Sequence, residues 1–513
     1  MPAKLTLALF VLLLPALGEE YAGSKACAAC HSAIYKSYFA TPMAVSSGRP
    51  GEGGFRESLD RAKFLHERSG VEYRVSREAN QMALEFTRTG GELSGKRKLD
   101  FFVGSGAAGR SYLTSINGFL FQSPVSYYSK AAKWDISPGY QFSKDAALTR
   151  PIGTKCLQCH SGRLQHIAGA ENRYKDEPFL EAGIGCERCH GPGAKHVASP
   201  KGDIVNPAKL DSLRRESVCA QCHLTGDARI ARAGRGLLTY RPGDALTSHV
   251  VSFVRPTSKF KVTSHYETLA RSACRKASGE KLWCGTCHDA HSVPAPAASA
   301  AYFRAKCVGC HERGGCGKGP DCVSCHMPKN PTADVGHVAY TNHEIARRPG
   351  VAPGPPASAA DTLVSFWGKS EDPRELGLAY AEIGQHRRAL DLLQKANPDD
   401  PEALAQLGSL YDRKGDAARS IESYERAVKL DPSLVNAAVN LGILYAKQGR
   451  LADAARCFAD ALSRNEGSET AGINLGVALA RLGKFEEAKA AFRKTLEYNP
   501  DSTLARRMLA EIN

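Results

Sequence analysis

Cysteine and histidine recur along this chain in one spacing. Cys27 and Cys30 stand three apart with His31 next, and the pattern returns at Cys156/Cys159/His160, Cys186/Cys189/His190 and Cys219/Cys222/His223. It returns again at Cys284 and Cys287 with His288, at Cys307 and Cys310 with His311, and at Cys322 and Cys325 with His326. The seven copies use 14 of the 17 cysteines. Cysteines three apart lie on one face of a helical turn, where two thiols can bond the two vinyl groups of one porphyrin. The histidine that follows lies one step round the same turn and can reach an iron from the same side. The spacing therefore predicts covalent haem c (iron) at seven places. Zinc ribbons and thioredoxin-like centres also use Cys-x-x-Cys, but neither requires the adjoining histidine.

Each iron needs a second axial ligand or is left open. Of 16 histidines, seven follow the cysteine pairs and His386 falls among the C-terminal repeats. The other eight are His66, His166, His196, His249, His265, His291, His337 and His343. His196, His265, His291 and His343 rank first, then His337 and His66, with His166 and His249 last. His291 lies three residues past His288 and cannot cap its own iron, because His288 holds that face. His196 follows Gly191-Pro192-Gly193, a turn that can aim it at another centre. Met43 is a candidate thioether ligand for the first iron, with filling of an apolar gap as the alternative.

These residues need elements to hold them. Six motifs crowd into residues 156–326, which leaves little room for an ordinary apolar core. Porphyrins are expected to be the interior there, wrapped by short helices and loops. Between His31 and Cys156 the pattern changes. Val71 to Val75 and Met82 to Phe86 alternate at period two. Lys98 to Val103 and Tyr112 to Tyr128 add apolar runs, punctuated by Gly104, Gly106, Gly109 and Gly118. A small β-rich insertion is expected at about 66–150. Cys274 and Cys316 are expected to pair as a disulfide, and Cys457 to behave as a small buried apolar residue.

Cys186-Glu187-Arg188-Cys189-His190-Gly191-Pro192-Gly193 with His196 resembles the haem-binding motif of the cytochrome c554 family. Cys322 to His326, then Met327-Pro328-Lys329, His337 and Thr341-Asn342-His343, resembles the C-terminal haem region of a wider multihaem group. That group includes pentahaem nitrite reductase, hydroxylamine oxidoreductase and octahaem tetrathionate reductase. The resemblance covers roughly residues 20–348 and is strongest over 150–348. It implies closely stacked haems acting as a wire, with His196 and His343 as distal ligands. No Cys-x-x-Cys-Lys of the nitrite-reductase kind occurs. A histidine of the cytochrome c554 group commonly stands where Met43 falls.

Residues 1–18 read as a secretory signal peptide, with Lys4, an apolar run from Leu5 to Leu17 and small residues at its end. Export to a periplasm or outer surface is expected, with no integral membrane segment after cleavage. The net charge of +15 need not mean nucleic acid, because each haem would bring about two propionate charges to offset it. Residues 349–361 are Pro-, Gly- and Ala-rich and read as a linker. Beyond them a 34-residue period repeats Leu407-Gly408 at Leu441-Gly442 and Leu475-Gly476, and Tyr424 at Phe458 and Phe492. That is tetratricopeptide (TPR) spacing, and such stacks present a concave face to a protein.

The expected fold is mainly α: a loop-rich multihaem cytochrome core over 19–348 with its β-rich insertion, then an α-helical TPR solenoid over 362–513. The expected function is electron transfer through stacked haems, with the repeats docking a redox protein partner. The alternative is an oxidoreductase in which one open haem acts on a small nitrogen or sulfur compound. A third reading, a scaffold with structural haems, ranks last, because seven haems exceed what stability needs.

Overall fold

The structure is a computed structural model that describes residues 20–52, 55–90, 93–144, 148, 150–199, 201, 203–311, 319, 321–346, 362–368 and 372–512. The expected leader at 1–18, the linker at 349–361 and Cys316 lie outside the described residues. Among the described residues no helix is long and apolar enough to cross a membrane.

Two antiparallel sheets build the N-terminal region. Lys63–His66, Val71–Glu78, Gln81–Arg88 and Ser94–Leu99 form a meander. Its alternation places Val71, Tyr73, Val75, Met82, Leu84 and Phe86 in one buried cluster with Trp134. The second sheet carries Phe101–Val103, Gly109–Ile116 and Phe119–Tyr128 at its centre. Phe119–Tyr128 is buried on both faces. Val125 and Tyr127 join the meander's cluster, whereas Leu120 packs with Phe101, Leu113, Ile152, Leu157 and Tyr174. Leu157 lies inside the second Cys-x-x-Cys-His, so this sheet anchors that motif by its own side chain.

The motif region holds mostly short helices and loops, with three small sheets besides. The cysteine pairs occupy helical turns in Ser24–Cys27, Thr154–Leu157, Glu187–His190, Ser212–His223, Cys284–Cys287, Ser299–Val308 and Cys322–His326, or run one turn past them. The histidine amide closes the turn onto the first cysteine carbonyl in His31 (2.9 Å), His190 (3.0 Å), His288 (2.9 Å) and His311 (3.0 Å). Asp211 caps Ser212–His223, and Asp321 accepts from Val323 N and Ser324 N at the start of Cys322–His326. Ala220, in the fourth motif, is fully buried with Leu224, Leu246, Val250 and Tyr266.

Four helix pairs and a last helix follow: Pro373–Glu382 with His386–Leu393, Pro401–Arg413 with Ala417–Leu430, Val435–Lys447 with Leu451–Arg464, Glu469–Arg481 with Phe485–Tyr498, then Thr503–Glu511. The repeat glycines sit where the paired helices touch. A Cβ on Gly442 would lie 2.6 Å from the Phe458 ring, and one on Gly476 2.4 Å from Phe492. Gly415, Gly449 and Gly483 turn the chain at φ of 80°, 78° and 78°. Cys457 is partly buried in the repeat core and His386 is exposed.

Both ends of the helical array are seated on the rest of the molecule. At the near end, Ala228, Ile230, Val251 and Phe253 share a core with Tyr380, Leu393 and Leu407. Val364–Ser365 adds a strand beside Val250–Val254. Arg374 donates from Nη1 to the Ala231 carbonyl (2.9 Å) and from Nε to Asp400 (2.6 Å). At the far end, the Tyr498 ring meets Phe119 edge-on at 5.6 Å, Arg97 Nε donates to Asp501 (2.8 Å), and Asn117 Nδ2 donates to the Glu497 carbonyl (3.0 Å).

Candidate haem sites

The motif histidines do not stand alone. The rings of His31 and His196 lie 6.4 Å apart with planes 11° from parallel. His190 and His291 lie 5.9 Å apart at 12°, and His288 and His343 6.1 Å apart at 35°. An iron bonded to nitrogen on both sides at about 2 Å would hold two imidazole centroids roughly 6 Å apart. His265 sits 5.1 Å from His223 and 5.0 Å from His343, edge-on to both. His196, His291 and His343 thus each face a motif histidine at that spacing, and His265 lies edge-on to His223.

The motif thiols do not all share one environment. Cys27, Cys159, Cys186, Cys189, Cys219, Cys222, Cys284, Cys287, Cys307 and Cys322 are half-buried. Cys30, Cys156, Cys310 and Cys325 are exposed. The local elements explain it. Cys30 and Cys310 stand just past the ends of Ser24–Cys27 and Ser299–Val308, and Ser299–Val308 buries none of its residues. Cys325 lies in Cys322–His326, a five-residue helix that also buries none. In Thr154–Leu157 it is Leu157 that turns into the core, which leaves its neighbour Cys156 on the outer side.

Backbone carbonyls set the tautomers. His190 Nδ1 donates to the Val205 carbonyl (2.8 Å), His326 Nδ1 to that of Ala346 (2.7 Å) and His343 Nδ1 to that of Thr341 (3.0 Å). A carbonyl can only accept, so the proton is on Nδ1 and the Nε2 lone pair is free for a metal. Burial pushes His160 down to about 4, and burial followed by neighbouring imidazoles pushes His265 to about 3. Burial, then His288, takes His343 to about 4. These rings are neutral, the form that ligates.

The remaining candidates are placed differently. His249 is buried with Nδ1 at Thr239 Oγ1 (3.0 Å) and Nε2 at Asp244 Oδ2 (3.1 Å). His166 Nε2 donates to the Ala170 carbonyl (2.7 Å). His337 Nε2 meets Asp135 at 2.9 Å, and its ring lies edge-on to Tyr128. His66 Nδ1 meets Ser69 Oγ at 2.8 Å on the outermost strand of the meander. Met43 is 37% exposed, and its carbonyl accepts from Ile184 N.

Side chains inside the motifs bind one motif to another, and no spacing rule pointed to them. Arg188 Nη2 donates to the Gln158 carbonyl (3.1 Å), and Gln221 Nε2 donates to the Arg188 carbonyl (3.2 Å). Arg229 clamps the Ala220 and Gln221 carbonyls (3.1 and 2.8 Å). Glu187 accepts from the amides of Ala22 (2.8 Å), Gly23 (2.9 Å) and Gly193 (2.7 Å).

The donor set fits haem c. The paired thiols, the free Nε2 atoms and the facing imidazoles are what an iron porphyrin requires. The buried hydroxyls of Tyr240 and Tyr266 have no partner among the described residues and suit a polar porphyrin edge. The charge agrees. Residues 362–513 hold 21 Lys and Arg against 22 Asp and Glu, so the +15 excess belongs to residues 1–361. Seven haems would bring roughly fourteen propionate charges to that part.

Comparison with known proteins gives the same division. Residues 126–191 match the family described as cytochrome c554 and c-prime, and residues 276–315 match the doubled CXXCH motif. Residues 413–449 and 445–512 match tetratricopeptide repeat families. The chain is 27% identical over 163 residues to the C-type polyheme cytochrome OmcB of Geobacter sulfurreducens, covering 31% of this chain and 20% of that one. It is 34% identical over 73 residues to the C-type polyheme cytochrome OmcC of the same organism, covering 14% of this chain and 9% of that one. Against cellulose synthase operon protein C of Escherichia coli it is 38% identical over 87 residues, 16% of this chain and 8% of that one. The chain thus spans a fifth or less of these relatives. Among solved structures, MamA is 28% identical over 27% of this chain and 84% of its own, with a TM-score of 0.26. The protein joins a multihaem c-type cytochrome domain, similar to cytochrome c554, to a tetratricopeptide repeat domain.

Proposed function

We propose that this is an exported seven-haem c-type cytochrome that passes electrons between closely set centres, with its repeats holding a protein redox partner. The observation that carries the reading is the set of three histidine pairs at 5.9–6.4 Å, each a motif histidine facing one from elsewhere in the chain. Bound haem supplies one-electron chemistry. His31, His160, His190, His223, His288, His311 and His326 are the proximal ligands. The fourteen motif cysteines hold the porphyrins. His196, His291 and His343 cap the first, third and fifth centres, and His265 the fourth. Two axial imidazoles fill an iron and leave no place for substrate, which suits a carrier. The basic residues of 1–361 offset propionates.

An open centre is the second reading, favoured by one observation. His166, His249 and His337 each spend Nε2 on a carbonyl or carboxylate. With four distal imidazoles facing motif histidines, seven irons outnumber the remaining supply. Such a centre would suit a small nitrogen or sulfur compound.

Haem staining with an intact-mass count on exported protein tests the first statement. The expected result is seven covalent haems, and protein without them would end the reading. Electron paramagnetic resonance of the oxidised protein then separates carrier from enzyme. Low-spin signals alone support the carrier, whereas a high-spin signal that shifts with nitrite, hydroxylamine or cyanide supports the open centre.

A further inference from the structure

We propose that the cytochrome domain carries a binding site for a small hydroxyaromatic acid, in a cavity beside the segment that leads into the repeats. The site goes beyond electron transfer and uses none of the residues assigned to iron.

The cavity encloses about 240 Å³ where three segments meet. Val254 ends the strand Val250–Val254, and the chain from Arg255 to Lys261 loops away from it over the cavity. Ser264, Glu267, Ala270 and Arg271 line it from the helix His265–Arg271 and its first flank. Val364 and Phe366 close it from the segment ahead of the first repeat, where Val364 pairs with Val254 and Phe366 N donates to the Ser252 carbonyl (2.8 Å). The helix stands between this cavity and the fourth centre. At about 100° per residue, those four residues fall roughly 140–260° round from His265, on the opposite face. The His265 ring meanwhile lies edge-on to His223 and His343. No motif cysteine and no facing histidine lines the cavity.

The lining says what would fit. A dry cavity of about 150 Å³ holds benzene, so this one has room for two fused rings. Val254, Phe260, Ala270 and Phe366 supply apolar walls for them. Lys259 and Lys276 stand exposed beside those walls, and neither ammonium has a carboxylate partner among the described residues. The other cations there are engaged: Arg255 with Asp227, Arg271 with Glu344, and Lys261 on the Gly226 carbonyl (2.7 Å). Two uncompensated ammonium groups favour an anion. Glu267 supplies the third feature. It is 7% exposed, its Oε1 accepts from Gly226 N (2.8 Å), and its Oε2 has no partner among the described residues. A buried carboxylate oxygen left unpaired needs a donor, and a ligand hydroxyl is one. The acid group thus belongs on the lysines, the rings between the apolar walls and the hydroxyl on Glu267. Because Val364 and Phe366 lead into the first repeat, an occupant also fastens the near end of the array.

Isothermal titration calorimetry of the mature, haem-loaded full chain with 6-hydroxy-2-naphthoate tests the site. Saturable binding is expected, weaker by about tenfold for 2-naphthol, which lacks the acid, and for 2-naphthoate, which lacks the hydroxyl. Lys259→Ala with Lys276→Ala should weaken the hydroxy acid by a similar factor, and Ala270→Phe should fill the cavity and abolish binding. An unchanged visible spectrum shows that each variant has matured, and the lysine pair, being exposed, decides if Ala270→Phe does not. Bound acid should also raise the melting temperature with its concentration. No saturable binding at millimolar acid, or binding that neither variant alters, would overturn the proposal. So would a crystal structure of the mature protein with a haem propionate filling the cavity.

Discussion

Glu57 carries more than its exposed neighbours because it is a buried charge with three partners, one of them the Arg56 amide, which donates to Oε2 (2.9 Å). Its Oε1 accepts from Arg110 Nη1 (2.9 Å) and from the Tyr112 hydroxyl (2.7 Å), and the Arg110 side chain is 3% exposed. Glu57→Ala would leave the guanidinium buried without its counter-charge and should cost about 3–5 kcal/mol of stability. Denaturant titration followed by tryptophan fluorescence reads it, through Trp134 in the same cluster. Asp227 adds a pH dependence. Burial disfavours its charge, but the Ser258 hydroxyl and the Arg255 side chain and amide outweigh that, so its carboxyl sits below the ordinary 3.8. A carboxyl lowered on folding stabilises above its unfolded value and loses that contribution as pH falls through the folded one. Asp227→Asn should therefore lower the melting temperature at neutral pH. The gap to the parent protein should narrow as pH drops below 3.8, and thermal unfolding at several pH values checks it.

Among the elements, the repeat helices depend on close approach. A side chain at Gly442 must displace the Phe458 ring, 2.6 Å from its Cβ, because the ring is buried and cannot swing away. Gly442→Val should overpack that pair by about 1–3 kcal/mol, and circular dichroism melting of the full chain measures it. These helices were readable in the sequence because each rule is local: a glycine, an aromatic sixteen positions on, and a return after 34. The cysteine turns were readable for the same reason. Which thiols would face outward was not, because Cys310 and Cys325 obey the same spacing as the half-buried Cys219 and Cys222 and differ only in what packs around them. The sheets were readable as alternation, but not that Phe119–Tyr128 is covered on both faces, since its second cover comes from residues as distant as Tyr174. The candidate histidines could be named, but not matched. His291 stands beside His288 in the chain yet faces His190, and no spacing rule encodes that distance. Glu187 was visible only as a motif interior, because its partners Ala22 and Gly23 are more than 160 positions away.

At the scale of the whole molecule, the array is an arch rather than a loose arm. Its near end is fused through an apolar core, and its far end rests on a small apolar patch, where Phe119 meets Tyr498 and Gly467, and on a few polar contacts. An edge-on aromatic pair contributes about 0.5–1.5 kcal/mol beyond its burial. Tyr498→Ala with Asp501→Ala should therefore release the far end without touching the motif histidines. Small-angle scattering should show a larger radius of gyration while the visible spectrum stays unchanged, and an unaltered radius would mean that the seam bears no load. The facing histidines have a further consequence, for how the chain comes to be made. The pairs close loops of 165, 101 and 55 positions, and contacts so distant in sequence form late. A newly delivered chain can present its cysteine turns long before those loops shut. Pigment would then be attached to an unfolded thread, and the finished shape would crystallise around what it had already been given.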